Sequence, residues 1–211
     1  SLVMKYSDGS ELDELWELAV DDPSLRPAVE AGLVEQKHLA PKAVWIQRLS
    51  EDPYSVATVD LNLAVRGLQP LASTSEAEEV LLRVLHDDRL DYSTRLEGAR
   101  SLAGQTQGLE EHAARLLAGQ LSGRELLASE LLSQHDSAET EQLMRQVLAR
   151  NFRPAQIQAF RWLRIHRPQV ALALVPDYIA HPDSSLRLEV AAALDQDTAP
   201  ESLRTQGGLL A

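Results

Sequence analysis

Asp183-Ser184-Ser185-Leu186-Arg187-Leu188-Glu189-Val190-Ala191-Ala192-Ala193-Leu194 is the stretch that decides the fold, because the chain has already used its pattern once, as Asp91-Tyr92-Ser93-Thr94-Arg95-Leu96-Glu97-Gly98-Ala99-Arg100-Ser101-Leu102. The copies agree at the Asp, Ser, Arg, Leu, Glu and Ala and at the closing Leu. They lie 92 positions apart, which is three periods of about 31, a spacing typical of helical repeat arrays.

Working outward, the same period runs through the chain. Closing leucines of alternate helices fall at Leu33, Leu68, Leu102, Leu132, Leu163 and Leu194, with spacings of 35, 34, 30, 31 and 31. Apolar residues recur at helical spacing between them, with caps and prolines as punctuation. Leu12, Leu15, Trp16 and Ala19 give a first helix stopping at Asp21-Asp22-Pro23, and Asp22 is the expected cap of a second with Leu25, Val29 and Leu33 inside. Pro41 opens a third carrying Val44, Trp45, Ile46 and Leu49. Asp52-Pro53 repeats the cap-and-proline device before a fourth through Val56, Val59, Leu63 and Leu68, which Pro70 ends,. Ser73-x-x-Glu76 and Asp136-x-x-Glu139 read as capping boxes for the fifth and ninth helices, and Asp91 and Asp183 as caps of the sixth and twelfth,. Gln107 to Gln120 and Gly123 to Gln134 give the seventh and eighth, and Pro154 and Pro168 open the tenth and eleventh. Thr198-x-x-Glu201 starts a partial thirteenth that runs out at Gly207-Gly208.

The expected fold is therefore all-α: a right-handed α-solenoid of about six antiparallel helix hairpins, with a compact helical bundle as the competing architecture. The whole chain, 1–211, reads as one repeat domain, with repeats at about 10–35, 41–70, 73–104, 106–134, 136–166 and 168–196 and a tail over 197–211,.

Composition agrees with helices. The 211 residues are 44% hydrophobic but 4% aromatic, and Leu and Ala, both strong helix formers, supply most of the apolar content. There is no Cys, so neither disulfides nor thiolate metal sites enter, and redox compartment goes unmarked. A net charge of -12 argues against a general nucleic-acid binder, which needs clustered Lys and Arg. The longest uninterrupted apolar run, Val170 to Val175, is too short to span a bilayer. Localisation is open, with the cytoplasm favoured. The opening Ser1-Leu2-Val3, with Met4 inside, reads as a cloning junction or a cut within a longer protein,.

Pro182-Asp183-x-x-Leu186-Arg187-x-x-Val190-Ala191-x-Ala193-Leu194 resembles the second helix of a HEAT repeat, of the short bacterial type also found in phycobilin lyase subunits. Asp22-Pro23-Ser24-Leu25-Arg26 with Val29 and Leu33 is a looser match, and the middle repeats depart, with Glu125 and Gln156 where the pattern has Arg. The resemblance implies a HEAT-like superhelix, partner binding along its curved face, and Arg95 and Arg187 each reaching the adjacent repeat's turn. The family also includes chromophore lyases and a branch of DNA glycosylases, so the fold alone does not set an activity.

No Gly-rich phosphate loop, Gly-x-Ser-x-Gly elbow or His-Glu-x-x-His helix occurs,. The six histidines, His38, His86, His112, His135, His166 and His181, are scattered. No catalytic residue, cofactor or metal is assigned. His86 with Asp87, Asp88 and Asp91 is the densest His and carboxylate cluster; such turns serve as helix caps more often than as cation sites.

Gln142 to Pro176 holds Arg145, Arg150, Arg153, Arg161, Arg164 and Arg167 and no acidic residue. In an acidic chain such a segment makes a local positive patch, since screening confines fields to about 8 to 10 Å. Arg153, Arg161, Trp162 and Arg164 are the candidate binding residues. Arg161 and Arg164 fall on the outer side of their helix, with Trp162 at the border, placed to pack under a neighbouring repeat or to present its ring beside Arg161. Without carboxylates inside the stretch, the arginines must pair across repeats or meet a ligand. The leading expectation is a non-catalytic interaction module that holds a protein partner with an acidic surface. The alternatives are an enzyme on the same fold, lyase-like or glycosylase-like, and a spacer segment of a larger repeat protein.

Overall fold

The computed structural model describes residues 9–22, 24–104, 106–119, 121 and 123–196. Pro23, the start at 1–4 and the thirteenth-helix signal at Thr198 lie outside these residues. Among the described residues there are twelve α-helices and no strand. They fall into two compact units divided between Gln107 and Gly108, just inside the start of the fourth expected repeat.

The first unit holds α1 (Gly9–Asp21), α2 (Arg26–Glu35), α3 (Lys42–Ser50), α4 (Thr58–Leu68), α5 (Ser75–His86) and α6 (Tyr92–Ala103). Consecutive helices pack as hairpins, α1 on α2, α3 on α4 and α5 on α6, while α4 lies between α2 and α6, and α3 touches α5. The second unit repeats the scheme with α7 (Glu110–Ala118), α8 (Arg124–Leu131), α9 (Ala138–Leu148), α10 (Arg153–His166), α11 (Pro168–Tyr178) and α12 (Ser184–Gln196). There α10 lies between α8 and α12, and α7 touches α9.

The closing leucines supply the buried spine of the even-numbered helices: Leu33, Leu68, Leu102, Leu132 and Leu163 are each at most 1% exposed, and Leu194 is half-buried. Burying each such side chain is worth about 1.5–3 kcal/mol. The founding motif's aspartates cap as expected. Asp91 accepts from the Ser93 amide at 2.8 Å, and Asp183 from the amides of Ser185 and Leu186 at 2.9 and 3.1 Å, satisfying donors that the first helical turn leaves free.

Other caps differ from expectation. The Thr74 hydroxyl turns back to the Leu71 carbonyl and Glu76 pairs with Lys42 at 2.8 Å, so no capping box forms at α5. At α9 the cap is Ser137, which accepts from the Thr140 amide at 2.9 Å, while Asp136 is drawn away by Arg167. Pro53 opens a short 3-10 turn, Pro53–Ser55, and α4 starts only at Thr58. Val56 therefore lies in the connection, and Val59 and Leu25, expected inside, are 72% and 51% exposed. The two founding arginines serve their own hairpins rather than the adjacent repeat. Arg95, 6% exposed, donates to the Leu85 carbonyl at 3.0 Å and pairs with Asp88 at 2.8 Å, and Arg187 donates to the carbonyls of His181 and Pro182.

Candidate functional site

The arginine-rich stretch runs from α9 through α10 into α11, and carboxylates outside it meet most of its charge. Arg145 pairs with Glu141 one turn earlier on α9 at 2.9 Å, so an i,i+4 partner does exist, one residue upstream of the acid-free interval. Arg150 donates to the Leu117 carbonyl at 2.6 Å and stands 3.6 Å from Glu125. Arg167 reaches Asp136 at 2.6 Å and Glu141 at 3.0 Å. Arg161 and Arg164 converge on Glu189 of α12, at 2.6 and 3.2 Å. Arg153, exposed at the start of α10, has no ion pair or hydrogen bond to its side chain among the described residues. Among the described residues six arginines thus face four carboxylates, an excess of two positive charges.

That excess sits on α10. One arginine beyond neutrality belongs to the Arg161, Arg164 and Glu189 trio, and the other is Arg153. The Arg161 side chain is 49% exposed and that of Arg164 is 17% exposed, so Arg161 is the more accessible member. Ile165, one helical turn beyond Arg161, is 59% exposed. Trp162 takes no part in this surface. It is 2% exposed, its indole N–H donates to the His135 carbonyl at 2.9 Å, and its ring stacks on His166 with centroids 4.8 Å apart. The Arg167 guanidinium, 5.6 Å from the ring centroid, takes the cation–π position expected of Arg161.

The first two hairpins of the second unit are joined by Glu110. Its carboxylate accepts from the hydroxyls of Ser137 at 2.9 Å and Thr140 at 3.2 Å and stands 4.0 Å from His135. Burial pushes this carboxyl up, yet the hydrogen bonds and the nearby His135 outweigh it and hold it below its ordinary value,. The Arg167 hydrogen bond likewise lowers Asp136, and Arg145, followed by Arg167, lowers Glu141.

In the first unit the cluster around His86 is built for structure. Asp87 accepts from Arg89 at 3.0 and 3.1 Å and from the Tyr54 hydroxyl, and the Arg89 guanidinium lies 4.3 Å over the Tyr54 ring. With Arg89 as the main cause, the Asp87 carboxyl is held at about 2. Asp88 is engaged by Arg95 and Asp91 by Ser93. No group of three or more His, Asp or Glu among the described residues has the geometry of a metal site.

Sequence reading passed over the carboxylates that join neighbouring helices. Glu97 accepts from Arg66 of α4 at 3.1 Å, and Glu189 is held by the α10 arginines. Glu97 and Glu189 are the same position of the founding motif, so the shared Glu was the available signal. Glu30 carried no comparable signal. It is 2% exposed and bound by Trp45 and Arg48, partners 15 and 18 positions away. No protein-family model, curated protein or solved structure matches the chain, so the HEAT-like reading rests on the residues themselves.

Proposed function

We propose that the chain is a non-catalytic protein-interaction module, a right-handed HEAT-like α-solenoid that holds an acidic segment of a partner protein against α10. The repeat reading is supported by bonds that join successive hairpins at offsets near one period, from 25 positions at Arg164 with Glu189 to 36 at Ser101 with Val65, three of them, Asn62 to Ser93, Arg66 to Glu97 and Arg167 to Asp136, spanning 31. Stacked hairpins leave a row of helix faces open along one side, the surface that repeat proteins use for partners.

The observation that carries the binding proposal is the outer stripe of α10, where an exposed Ile165 follows an arginine that Glu189 neutralises only in part. An apolar side chain flanked by carboxylates on the partner complements that stripe: the apolar group covers Ile165, and the carboxylates take Arg153 and the free edge of Arg161. Trp162 and Arg164 support the site from beneath by fixing α10.

The test is to select peptides from a random display library on the full chain and measure their affinities by fluorescence anisotropy. Acidic peptides with an apolar residue are expected, binding at least about ten-fold more weakly to Arg161→Glu and Ile165→Ser, with the difference shrinking at high salt. Arg145→Glu, on α9 and already paired, serves as the control and leaves affinity unchanged. Selected peptides that lack acids, or that bind Arg161→Glu and wild type equally, would overturn the proposal.

A further inference from the structure

Arg26, at the start of α2, is a half-buried guanidinium that makes no ion pair and no side-chain hydrogen bond among the described residues. The acids four positions to either side are engaged elsewhere: Asp22 accepts from the Ser24 amide and hydroxyl at 2.9 and 2.7 Å, and Glu30 is held by Trp45 and Arg48. The Arg26 guanidinium lies 5.7 Å from the Trp16 ring centroid. Its Nε is closed off from solvent and donates to nothing, while the two terminal amino groups stay accessible. Drawing a charge out of water without an acceptor is unfavourable, and such breaches of the local rules concentrate at functional sites.

Arg26 forms one wall of a cleft of about 250 Å³. Val44 and Arg48 of α3 and Val56 of the following connection are half-buried there, and Glu51 and Asp52 stand exposed. Arg48 is neutralised by Glu30. Glu51 accepts one hydrogen bond, at 3.0 Å, from the uncharged Gln47 amide, so its charge is not compensated. Asp52 precedes the Pro53–Ser55 turn, but its side chain caps nothing and meets no cation among the described residues. Neither carboxylate reaches Arg26. One open cation and two open anions therefore share the cleft. In the clefts on either side of it, by contrast, Arg89 pairs with Asp87 and Lys42 with Glu76.

We propose that this cleft binds a free α-amino acid with a cationic side chain, of which lysine is the simplest. The complement of one cation and two anions is a molecule with one anion and two cations. Arg26 takes the α-carboxylate end-on through its two terminal amino groups, a geometry that the planar guanidinium supplies. Asp52 and Glu51 take the two ammonium groups, and Val44 and Val56 cover the aliphatic stem between them. Size agrees, since pockets for drug-sized ligands begin at roughly 300 Å³ and this cleft is smaller. An aliphatic amino acid leaves one carboxylate of the cleft unmet, and glutamate brings a further carboxylate toward two that are already open, so both are disfavoured. The site lies within the first unit and owes nothing to α10.

Titrating the isotope-labelled full chain with L-lysine to about 10 mM at low salt, and following the amide resonances, tests this. Saturable shifts are expected at Val44, Gln47, Ser55 and Val56. Leucine and Nα-acetyl-lysine, each lacking one ammonium group, should bind at least about ten-fold more weakly, and glutamate should give no saturable shift. Arg26→Gln and Asp52→Asn should each weaken lysine binding at least about ten-fold, with Arg26→Lys recovering part of the loss because it restores the charge without the fork. Asp52 is exposed and caps nothing, so Asp52→Asn decides the matter even if Arg26→Gln disturbs the fold, which circular dichroism shows. Arg83→Gln, in the neighbouring cleft, leaves lysine binding unchanged. Three results overturn the proposal: no saturable shift with lysine; glutamate or Nα-acetyl-lysine binding as tightly as lysine; or lysine binding Asp52→Asn and wild type equally.

Discussion

Removing the Glu30 carboxylate should destabilise the first unit by several kcal/mol, about 3–5. Glu30 lies on α2 with its side chain 3% exposed. One carboxylate oxygen accepts from the Trp45 indole and from Arg48, both at 2.7 Å, and the other from Arg48 at 3.0 Å. Arg48 also donates to the Asp60 carbonyl on α4, so a single charge pair ties three helices. In Glu30→Ala the guanidinium, whose side chain is 13% exposed, keeps its charge without a counterion, which costs about 3–5 kcal/mol. Glu30→Gln keeps the volume and one acceptor but loses charge-assisted bonds, and should cost about 1.5–3 kcal/mol. Urea unfolding followed by circular dichroism measures this: at a slope of about 2 kcal/mol/M, Glu30→Ala lowers the midpoint by about 2 M. Replacing both charges, as Glu30→Leu with Arg48→Met, should recover part of the loss because no buried ion remains. Recovery stops short of wild type, since the Trp45 N–H is left unpaired at about 1–3 kcal/mol. A loss under about 1 kcal/mol in Glu30→Ala, or a double variant no more stable than it, would refute the assignment of this pair as a buried joint.

Gly67→Ala should also destabilise the first unit, because a Cβ there would sit 2.6 Å from the Trp45 ring; thermal melts should show a loss of about 1–3 kcal/mol, despite the better helix propensity of Ala. Asp91→Ala and Asp183→Ala should each cost about 1 kcal/mol as lost helix caps and should add in the double variant, since they cap separate helices. For Asp87 the folded carboxyl lies at about 2 against an ordinary 3.8, so its contribution is present above about pH 4 and is lost as pH falls toward 2. Melting Asp87→Asn beside wild type should therefore show a gap at pH 6 that closes at about pH 2.

Helix number and most helix positions were legible because they depend on local information: apolar spacing, prolines and the Asp caps at Asp91 and Asp183. The capping boxes at Ser73 and Asp136 were misread for a physical reason. A Glu or Asp near a helix start also suits a cation from another helix, and Lys42 and Arg167 take Glu76 and Asp136 away. The arginine stretch was legible as a run of sequence, but its charge could not be tallied from the sequence. Glu189 lies 28 positions from Arg161 and Glu125 lies 25 positions before Arg150, distances that only tertiary packing closes. Trp162 lay at the border of its helix wheel, and His135 decided the matter by offering its carbonyl to the indole.

The founding motif divides its labour in a way that accounts for both its persistence and its failures. Its Asp and Arg act within one hairpin, capping the even helix and holding the turn before it, as Asp91 with Arg95 and Asp183 with Arg187 show. Its Glu acts between hairpins, drawing an arginine from the preceding even helix, as Glu97 does with Arg66 and Glu189 with Arg161. The first task needs residues close in sequence and leaves a readable pattern. The second needs an arginine on a different helix, whose offset shifts from 31 positions at Arg66 to 28 at Arg161, so it blurs any fixed period. On α10 two arginines converge on that single Glu, and the second is more than the joint requires. The surplus charge proposed as a partner's foothold therefore arises at a structural joint, whose carboxylate comes from α12, outside the arginine stretch and out of reach of charge counting along the sequence.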